Sequence, residues 1–226
     1  MNYAFFGICI LSAVCCIAFR ALDKQFWGMI AKYVASLSFL VVAVISFAYN
    51  PSCSLTYFVP VFLGLLFCHA GDVFLGIKEL TPVYRKRLIP IGMLAFLLGH
   101  IGIACAYNMT AGFHYACAII AVGAFVISIG GTFLFRFQTP GWLRVFIGIY
   151  AFAITFTAAS ACYLYVVLKS AGAIMALLGS ILLLISDTGL SFVYFKDWRG
   201  NRLLSVMEIA TYFSGQAFIA LSVMFL

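Results

Sequence analysis

Residues 55–77 read LTYFVPVFLGLLFCHAGDVFLGI. At ~1.5 Å per residue, a helix of this length crosses a hydrocarbon layer of ~30 Å. Asp72 is the only carboxyl group in the stretch. We therefore predict a transmembrane helix whose aspartate face turns away from lipid, because a charged side chain facing lipid at mid-depth costs at least ~2.5–3.5 kcal/mol.

The composition of the whole chain predicts the same environment for the rest of it. Of 226 residues, 66% are hydrophobic and 8% are charged, and the mean hydropathy is +1.17. A soluble domain has about a quarter of its residues charged, so most of this surface must face lipid. Apolar runs occupy residues 3–19, 29–48, 55–77, 88–107, 112–135, 143–168, 171–194 and 203–226. We predict an all-α polytopic integral membrane protein, with residues 1–226 forming one domain of eight transmembrane helices.

Basic residues alternate between the two sides of the predicted spans. The first, third, fifth and seventh connections hold eleven of the thirteen Lys and Arg residues. Such loops lie in the cytoplasm, so both termini are expected outside, and a bacterial inner membrane is the expected location. The net charge of +7 is then explained by the basic loops that set the orientation and attract anionic lipid. It does not indicate nucleic-acid binding.

Polar side chains recur inside the spans. They are Lys32, His69, Asp72, His100, Asp187 and Glu208, accompanied by Tyr150, Tyr212 and Gln216. Four of them lie about 8–11 Å from the cytoplasmic ends of their helices, with Tyr150 and Tyr212 at similar depth: Lys32, Asp72, Asp187 and Glu208. Polar groups on different helices at one depth predict a site enclosed by the bundle. The eight cysteines form no CxxC pair and are interpreted as small apolar fillers.

Some of these residues have a structural interpretation beside the functional one. Lys32 either extends to the headgroups or binds a phosphate. Glu208 either caps the last span, pairs with Arg202, or belongs to the site. His69 either makes an interhelical hydrogen bond or acts in the site, and His100 either orients the site or only packs. Asp72 and Asp187 are the strongest functional candidates, because a carboxylate at that depth needs a partner.

A weak internal similarity relates the two halves of the chain. Gly71 and Asp72 correspond to Ser186 and Asp187 at an offset of 115 residues, and His100 then falls near Gln216. Four spans per half would preserve orientation. The pattern indicates a 4+4 parallel repeat, with one aspartate from each half meeting near a pseudo-two-fold axis.

Four stretches, taken in order, carry a family resemblance. They are LLFCHAGDVFL at 65–75, FLLGH at 96–100, LISD at 184–187 and ATYFSGQAFIALS at 210–222. This combination resembles the YhhN-like lysoplasmalogenase family of integral membrane proteins, over nearly the whole chain. In that family the lysine of the second span is often followed by proline, whereas Tyr33 follows Lys32 here.

The resemblance implies hydrolysis of the vinyl-ether bond of lysoplasmalogens. The products would be a fatty aldehyde and glycerophosphocholine or glycerophosphoethanolamine, and no metal or organic cofactor would be needed. Such hydrolysis begins with proton transfer to the β-carbon, which creates an oxocarbenium ion. Two close carboxylates cannot both ionise easily, so one can stay protonated as the acid while the other stabilises the cation. We therefore expect Asp72 and Asp187 to be the acid/base pair.

The remaining candidates are expected to support that pair. Glu208, Tyr212 and His100 would tune protonation or place water, and Lys32 would neutralise the lipid phosphate. The expected partners are a lysophospholipid, water and the bilayer.

Other functional classes stay open at this point. Intramembrane aspartates, a lysine and a repeat also suit a proton-coupled transporter or a lipid-sensing receptor, whereas a scaffold would not explain the polar layer. No G-x-S-x-G elbow indicates a serine hydrolase, and no HExxH indicates a zinc hydrolase. A zinc site formed by His69, Asp72 and His100 is a weaker alternative.

Overall fold

Helices account for the secondary structure that the computed structural model describes. It describes residues 25–80, 82–137, 139–195 and 202–226, and six single positions before Gln25. Its α-helices are α1 (Gln25–Tyr49), α2 (Leu55–Leu80), α3 (Arg85–Ala111), α4 (Tyr115–Leu134), α5 (Gly141–Leu168), α6 (Ala171–Phe195) and α7 (Arg202–Phe225), with a 3-10 turn at Pro82–Tyr84. No strand occurs within these ranges. The all-α prediction is confirmed for this part of the chain.

The seven described helices are all long and apolar enough to cross a membrane. They correspond to the second to eighth predicted spans, as expected of a multi-pass membrane protein. The first predicted span, 3–19, lies almost entirely outside the described residues. The eighth helix and the repeat of four spans per half therefore stay predictions.

The boundaries of two predicted spans shift at the connection between α3 and α4. The fourth span was predicted to end at residue 107, but α3 continues to Ala111. Gly112, with φ of +86°, then ends the helix in a conformation that L side chains rarely adopt. The fifth span, predicted to begin at residue 112, therefore begins at Tyr115.

Six of the described helices form a closed ring. Helix α1 packs against α2 and α7, α2 against α3, α3 against α5, α5 against α6, and α6 against α7. Helix α4 packs on the outside of α5. Its buried residues are only Cys117, Ala121 and Thr132, so most of its surface is available to lipid. The interior of the ring is therefore the place where intramembrane polar groups can be shielded.

Glycines bring two helix pairs of the ring into close contact. A Cβ atom on Gly64 of α2 would lie 2.8 Å from the carbonyl oxygen of Gly99 on α3. A Cβ atom on Gly179 of α6 would lie 2.7 Å from the carbonyl oxygen of Gly215 on α7. Small residues permit such approach between membrane helices. These contacts fix the positions of the four helices that carry Asp72 and Asp187 and the residues facing them.

The ring has two unlike ends. We call the end that carries Arg87, Arg136 and Arg144 the basic end, and the opposite one the far end. Towards the far end the interior is filled by Tyr57 and Tyr107, whose rings stack with centroids 6.2 Å apart. Both side chains are fully buried. The polar groups described below lie between this layer and the basic end.

The tyrosine layer also satisfies its own polar atoms. The hydroxyl groups of Tyr57 and Ser222 are hydrogen-bonded at 2.6 Å, and those of Tyr107 and Ser180 at 3.3 Å. Because these bonds join α2 to α7 and α3 to α6, they connect helices that are separated by one helix in the ring. The interior towards the far end thus contains a packed and hydrogen-bonded layer.

Candidate functional site

Each of the six ring helices supplies a polar side chain to the interior. In chain order these are Lys32 on α1, Asp72 on α2, His100 on α3, Tyr150 on α5, Asp187 on α6, and Tyr212 with Gln216 on α7. The contacts given below join six of these residues in two groups, one around Asp72 and one around Asp187. Helix α4, outside the ring, contributes none of them.

Asp72 is held by a cation and a phenol from two neighbouring helices. Lys32 Nζ lies 3.1 Å from Asp72 Oδ1, and the Tyr212 hydroxyl group donates a hydrogen bond of 2.9 Å to Asp72 Oδ2. The Asp72 side chain has no exposed surface, whereas that of Lys32 is 21% exposed. The carboxylate is thus compensated in a place where an unpaired charge would be very costly.

Asp187 has a different set of partners. The Tyr150 hydroxyl group donates to Asp187 Oδ2 at 2.5 Å, and His100 Nε2 lies 3.1 Å from the same oxygen. The Tyr150 oxygen and His100 Nε2 are 3.4 Å apart, so the three groups form a triangle. The Asp187 side chain keeps 8% of its surface exposed. Asp187 is therefore the more accessible of the two carboxyl groups.

The two aspartates are near each other but do not share a hydrogen bond. Each uses its own donors, as described above. Cys68, one helical turn before Asp72 on α2, interacts electrostatically with both Asp72 and Asp187, and its thiol lies beside the Gln216 amide. The expected carboxyl pair is thus two separately supported groups, and Cys68 lies near both of them.

Cys68 was interpreted from the sequence as an apolar filler, and its position in the site was missed. It is fully buried, and a Cβ atom on Gly99 would lie 2.5 Å from its sulfur atom. The available signal was its spacing of four residues before Asp72, which puts both side chains on one helix face.

His100 and Gln216 lie at the same depth on facing helices. The rings of Phe96 and Tyr212, one turn earlier on α3 and α7, meet edge to face with centroids 5.8 Å apart. Because four successive reversals separate α3 from α7, the two helices run in the same direction. The next turns of both helices, which carry His100 and Gln216, therefore lie at a similar depth.

Three polar atoms in this layer have no nitrogen or oxygen atom as a hydrogen-bond partner. They are Nδ1 of His100 and both side-chain amide atoms of Gln216. His100 is 1% exposed and Gln216 is fully buried. Thr157 donates a hydrogen bond to the His100 carbonyl oxygen at 3.1 Å, which fixes the backbone but leaves Nδ1 available.

Glu208 lies near the site, while His69 faces another direction. Glu208 is 8% exposed, interacts electrostatically with Asp72, and accepts a hydrogen bond from Ser186 at its backbone carbonyl oxygen. His69 Nδ1 instead lies 2.7 Å from the Ser36 hydroxyl group on α1. The contact of His69 is interhelical, which is the structural interpretation of this residue.

The residues of the weaker zinc alternative are not assembled as a metal site. Among the residues that the structure describes, no three His, Cys, Asp or Glu side chains are placed to hold a metal ion. His100 is bonded to Asp187 and His69 to Ser36. His69, Asp72 and His100 therefore do not converge on one point.

Comparison with known proteins identifies one family. A family model described as "YhhN family" matches residues 27–223, a range that contains every site residue named above. No curated protein and no solved structure gives a significant match to the chain.

Proposed function

The chain belongs to the YhhN family, and we propose that it is a lysoplasmalogenase that acts within the membrane. The substrate is a 1-alkenyl glycerophospholipid with a free hydroxyl group at the sn-2 carbon. Water cleaves its vinyl-ether bond and yields a fatty aldehyde and glycerophosphocholine or glycerophosphoethanolamine. The observation that carries the proposal is the pair of separately supported carboxyl groups, Asp72 and Asp187, inside one ring of helices.

Asp187 is the proton donor in this proposal. Its carboxylic acid transfers a proton to the β-carbon of the vinyl ether, where the π electrons form the new C–H bond. The positive charge is then shared by the α-carbon and the ether oxygen. Asp187 suits this step because it is partly exposed, whereas the fully buried Asp72 is covered by its partners. Tyr150 and His100 hold the acid in place.

Asp72 is the electrostatic partner of the reaction. Its negative charge, kept in the interior by Lys32 and Tyr212, stabilises the developing oxocarbenium ion across the site. Charge placed before the reaction in a water-poor environment is an effective form of transition-state stabilisation. Water then adds to the α-carbon and gives one proton back to the Asp187 carboxylate. The hemiacetal breaks at the bond to the glycerol oxygen, its hydroxyl group loses its proton as the aldehyde forms, and the glycerol oxygen takes up a proton.

The substrate is expected to lie with its headgroup at the basic end of the ring. Lys32 lies in the part of α1 near the basic end, and 21% of its side chain is exposed. Its charge would also attract the lipid phosphate. The alkenyl chain would lie between apolar helix surfaces. We place the basic connections in the cytoplasm and both termini outside, in a bacterial inner membrane.

A 4+4 parallel repeat would explain the arrangement of the two aspartates. The repeat would relate α1 to α5, α2 to α6 and α3 to α7. Each contact in the ring then has a counterpart: α1–α2 corresponds to α5–α6, α2–α3 to α6–α7, and α3–α5 to α7–α1. Asp72 receives one contact from the preceding ring helix, α1, and one from α7. Asp187 correspondingly receives one from α5 and one from α3. Each aspartate is thus supported by both proposed halves.

Transport is the less supported alternative. A continuous path across the membrane would have to pass the stacked and hydrogen-bonded side chains of Tyr57 and Tyr107. Proteoliposomes that accumulate intact 1-alkenyl lipid without releasing aldehyde would nevertheless favour a transporter over a hydrolase.

The proposal is tested by offering 1-alkenyl and 1-acyl lysophospholipids side by side to the purified protein. We expect fatty aldehyde from the alkenyl lipid and no fatty acid from the acyl lipid. Asp72→Asn and Asp187→Asn should each reduce aldehyde release at least about 100-fold, the usual lower range for a group that transfers a proton or stabilises charge. A folded wild-type protein that releases no aldehyde would refute the proposal.

A further inference from the structure

Gln216 is a buried amide without a strong hydrogen-bond partner. Both its Oε1 and its Nε2 lack one, and the residue has no exposed surface. The nearby Cys68 thiol is only a weak donor and a weak acceptor. Buried polar groups in proteins are nearly always satisfied, and an exception calls for an explanation such as a bound molecule.

A second unsatisfied atom lies at the same depth. Asp187 Oδ2 already accepts from the Tyr150 hydroxyl group, so we place the acid proton of Asp187 on Oδ1 and the proton of the neutral imidazole on Nε2, from which it donates to Oδ2. Nδ1 is then left as an acceptor. Nδ1 has no partner although His100 is 1% exposed. The contact between Phe96 and Tyr212, one turn earlier on each helix, puts this acceptor and the amide at a similar depth on α3 and α7. Cys68 lies beside both Gly99, the residue before His100, and the Gln216 amide.

The chemistry of these atoms selects the group that they bind. An amide offers one acceptor oxygen and a donor nitrogen, and the imidazole adds an acceptor. A hydroxyl group both donates and accepts, so it can satisfy atoms of both kinds. An anion is disfavoured here because Cys68, beside the amide, lies near the negatively charged Asp72.

We propose that Gln216, together with His100 Nδ1, is a binding site for a hydroxyl group of the reaction. The inference rests on the lysoplasmalogenase function proposed above. The hydroxyl group comes either from the attacking water or from the sn-2 carbon of the substrate. Both sources have the same hydrogen-bonding chemistry. In either case Gln216 determines whether water or the sn-2 oxygen attacks the oxocarbenium ion.

That control matters because the substrate carries a competing nucleophile. The sn-2 oxygen can attack the α-carbon of the oxocarbenium ion, form a C–O bond, and give its proton to a carboxylate. The product is a five-membered cyclic acetal, an isomer of the substrate formed without water. A site that presents water, or that holds the sn-2 hydroxyl group away, directs the same cation to aldehyde.

The test is the product ratio of Gln216→Met, which removes the amide and keeps a long side chain. Wild-type and variant proteins are given the 1-alkenyl lysolipid, and cyclic acetal and aldehyde are separated and quantified. We expect the ratio of cyclic acetal to aldehyde to rise about tenfold or more, the effect of losing one hydrogen bond to the hydroxyl group. A general loss of packing would lower the rate but leave this ratio unchanged.

Asn108→Met is the matched control. Asn108 is another intramembrane amide, on α3, but its nitrogen is already bonded to the Ala104 carbonyl oxygen and to Ser160. Its replacement should leave the product ratio at the wild-type value. Gln216→Asn, which shortens the side chain by one methylene group and so withdraws the amide, is measured beside Gln216→Met. If Gln216→Met does not fold, the ratio of cyclic acetal to aldehyde is taken from Gln216→Asn.

A substrate that lacks the sn-2 hydroxyl group distinguishes the two sources. If Gln216 binds that hydroxyl group, the wild-type kcat/KM for the 2-deoxy lipid falls about tenfold, and Gln216→Met causes no further fall. If Gln216 binds water, the wild-type protein hydrolyses both lipids with similar efficiency. The product ratio decides whether the hydroxyl site exists, and this comparison decides which hydroxyl group it binds.

An unchanged ratio of cyclic acetal to aldehyde in a folded Gln216 variant would overturn the inference. The hydrolase function would still stand, because aldehyde release by the wild-type protein is measured in the same experiment. Absence of both aldehyde and cyclic acetal from the wild-type protein would instead refute the proposed function.

Discussion

His100 Nε2 lies 3.1 Å from Asp187 Oδ2, a contact that joins α3 to α6 across the interior of the ring. These helices are not neighbours in the ring, because α5 lies between them. Tyr150, from that intervening helix, donates to the same oxygen. One carboxyl group therefore ties three helices together, and its position depends on all of them.

Tyr150→Phe is expected to lower kcat about tenfold, because it removes one hydrogen bond to the carboxyl group that we propose as proton donor. Tyr165→Phe, on the same helix but with 37% exposure, serves as the control and should keep wild-type activity. The measurement is the initial rate of aldehyde release by both purified variants. Equal rates for the two variants would show that the Tyr150 hydroxyl group does not contribute to the reaction.

The ion pair between Lys32 and Asp72 is expected to couple the two residues energetically. Lys32→Met leaves a buried carboxyl group without its cation, at a cost of ~3–5 kcal/mol. At about 2–4 °C per kcal/mol, the melting temperature in detergent should fall by at least about 6 °C. The double variant Lys32→Met, Asp72→Asn should lose clearly less than the sum of the two single variants, since no charge then remains uncompensated. Strictly additive losses would contradict the pairing.

Alanine at Gly64 and at Gly179 is expected to destabilise the protein to a similar extent. At both sites the new Cβ atom would meet a backbone carbonyl oxygen of the neighbouring helix at 2.7–2.8 Å, and overpacking of this kind costs ~1–3 kcal/mol. Gly123→Ala on α4 is the control, since nothing lies within 4 Å of its Cβ position and alanine favours a helix. The comparison of melting temperatures tests whether the two helix pairs are equivalent, and a loss at only one of them would argue against the repeat.

Cysteine labelling is expected to reveal the orientation of the bundle. In a cysteine-free background, Lys169→Cys, in the connection between α5 and α6, should react with a membrane-impermeant maleimide in intact cells. Arg136→Cys, at the opposite end, should react only after the membrane is permeabilised. The reverse pattern would place the basic end outside and the termini in the cytoplasm.

Much of the fold follows directly from the sequence. Seven of the eight apolar runs correspond to described helices, since length and hydropathy alone decide whether a segment can cross a membrane. The ends of α3 were less predictable: the helix runs from Arg85 to Ala111, because polar residues such as Asn108 can remain helical at the membrane edge. The end of that helix depends on the conformation of Gly112 rather than on hydropathy.

The polar layer was also predictable, but its internal pairing was not. The cost of charge in lipid singles out Asp72 and Asp187 from sequence alone. Which groups hold each aspartate depends on helix order around the ring, and this order is a tertiary property. The same holds for His69, which shares a helix with Asp72 but bonds to Ser36, and for Cys68, whose type gives no sign of a polar role.

The most direct test of the account is hydrolysis of a 1-alkenyl lysophospholipid in D₂O, with the aldehyde trapped by reduction as it forms. Proton transfer from Asp187 to the β-carbon predicts an alcohol with one deuterium at C2, and a loss of this product in Asp187→Asn of at least about 100-fold. Aldehyde that carries no solvent deuterium at C2, or undiminished release by folded Asp187→Asn, would contradict the account.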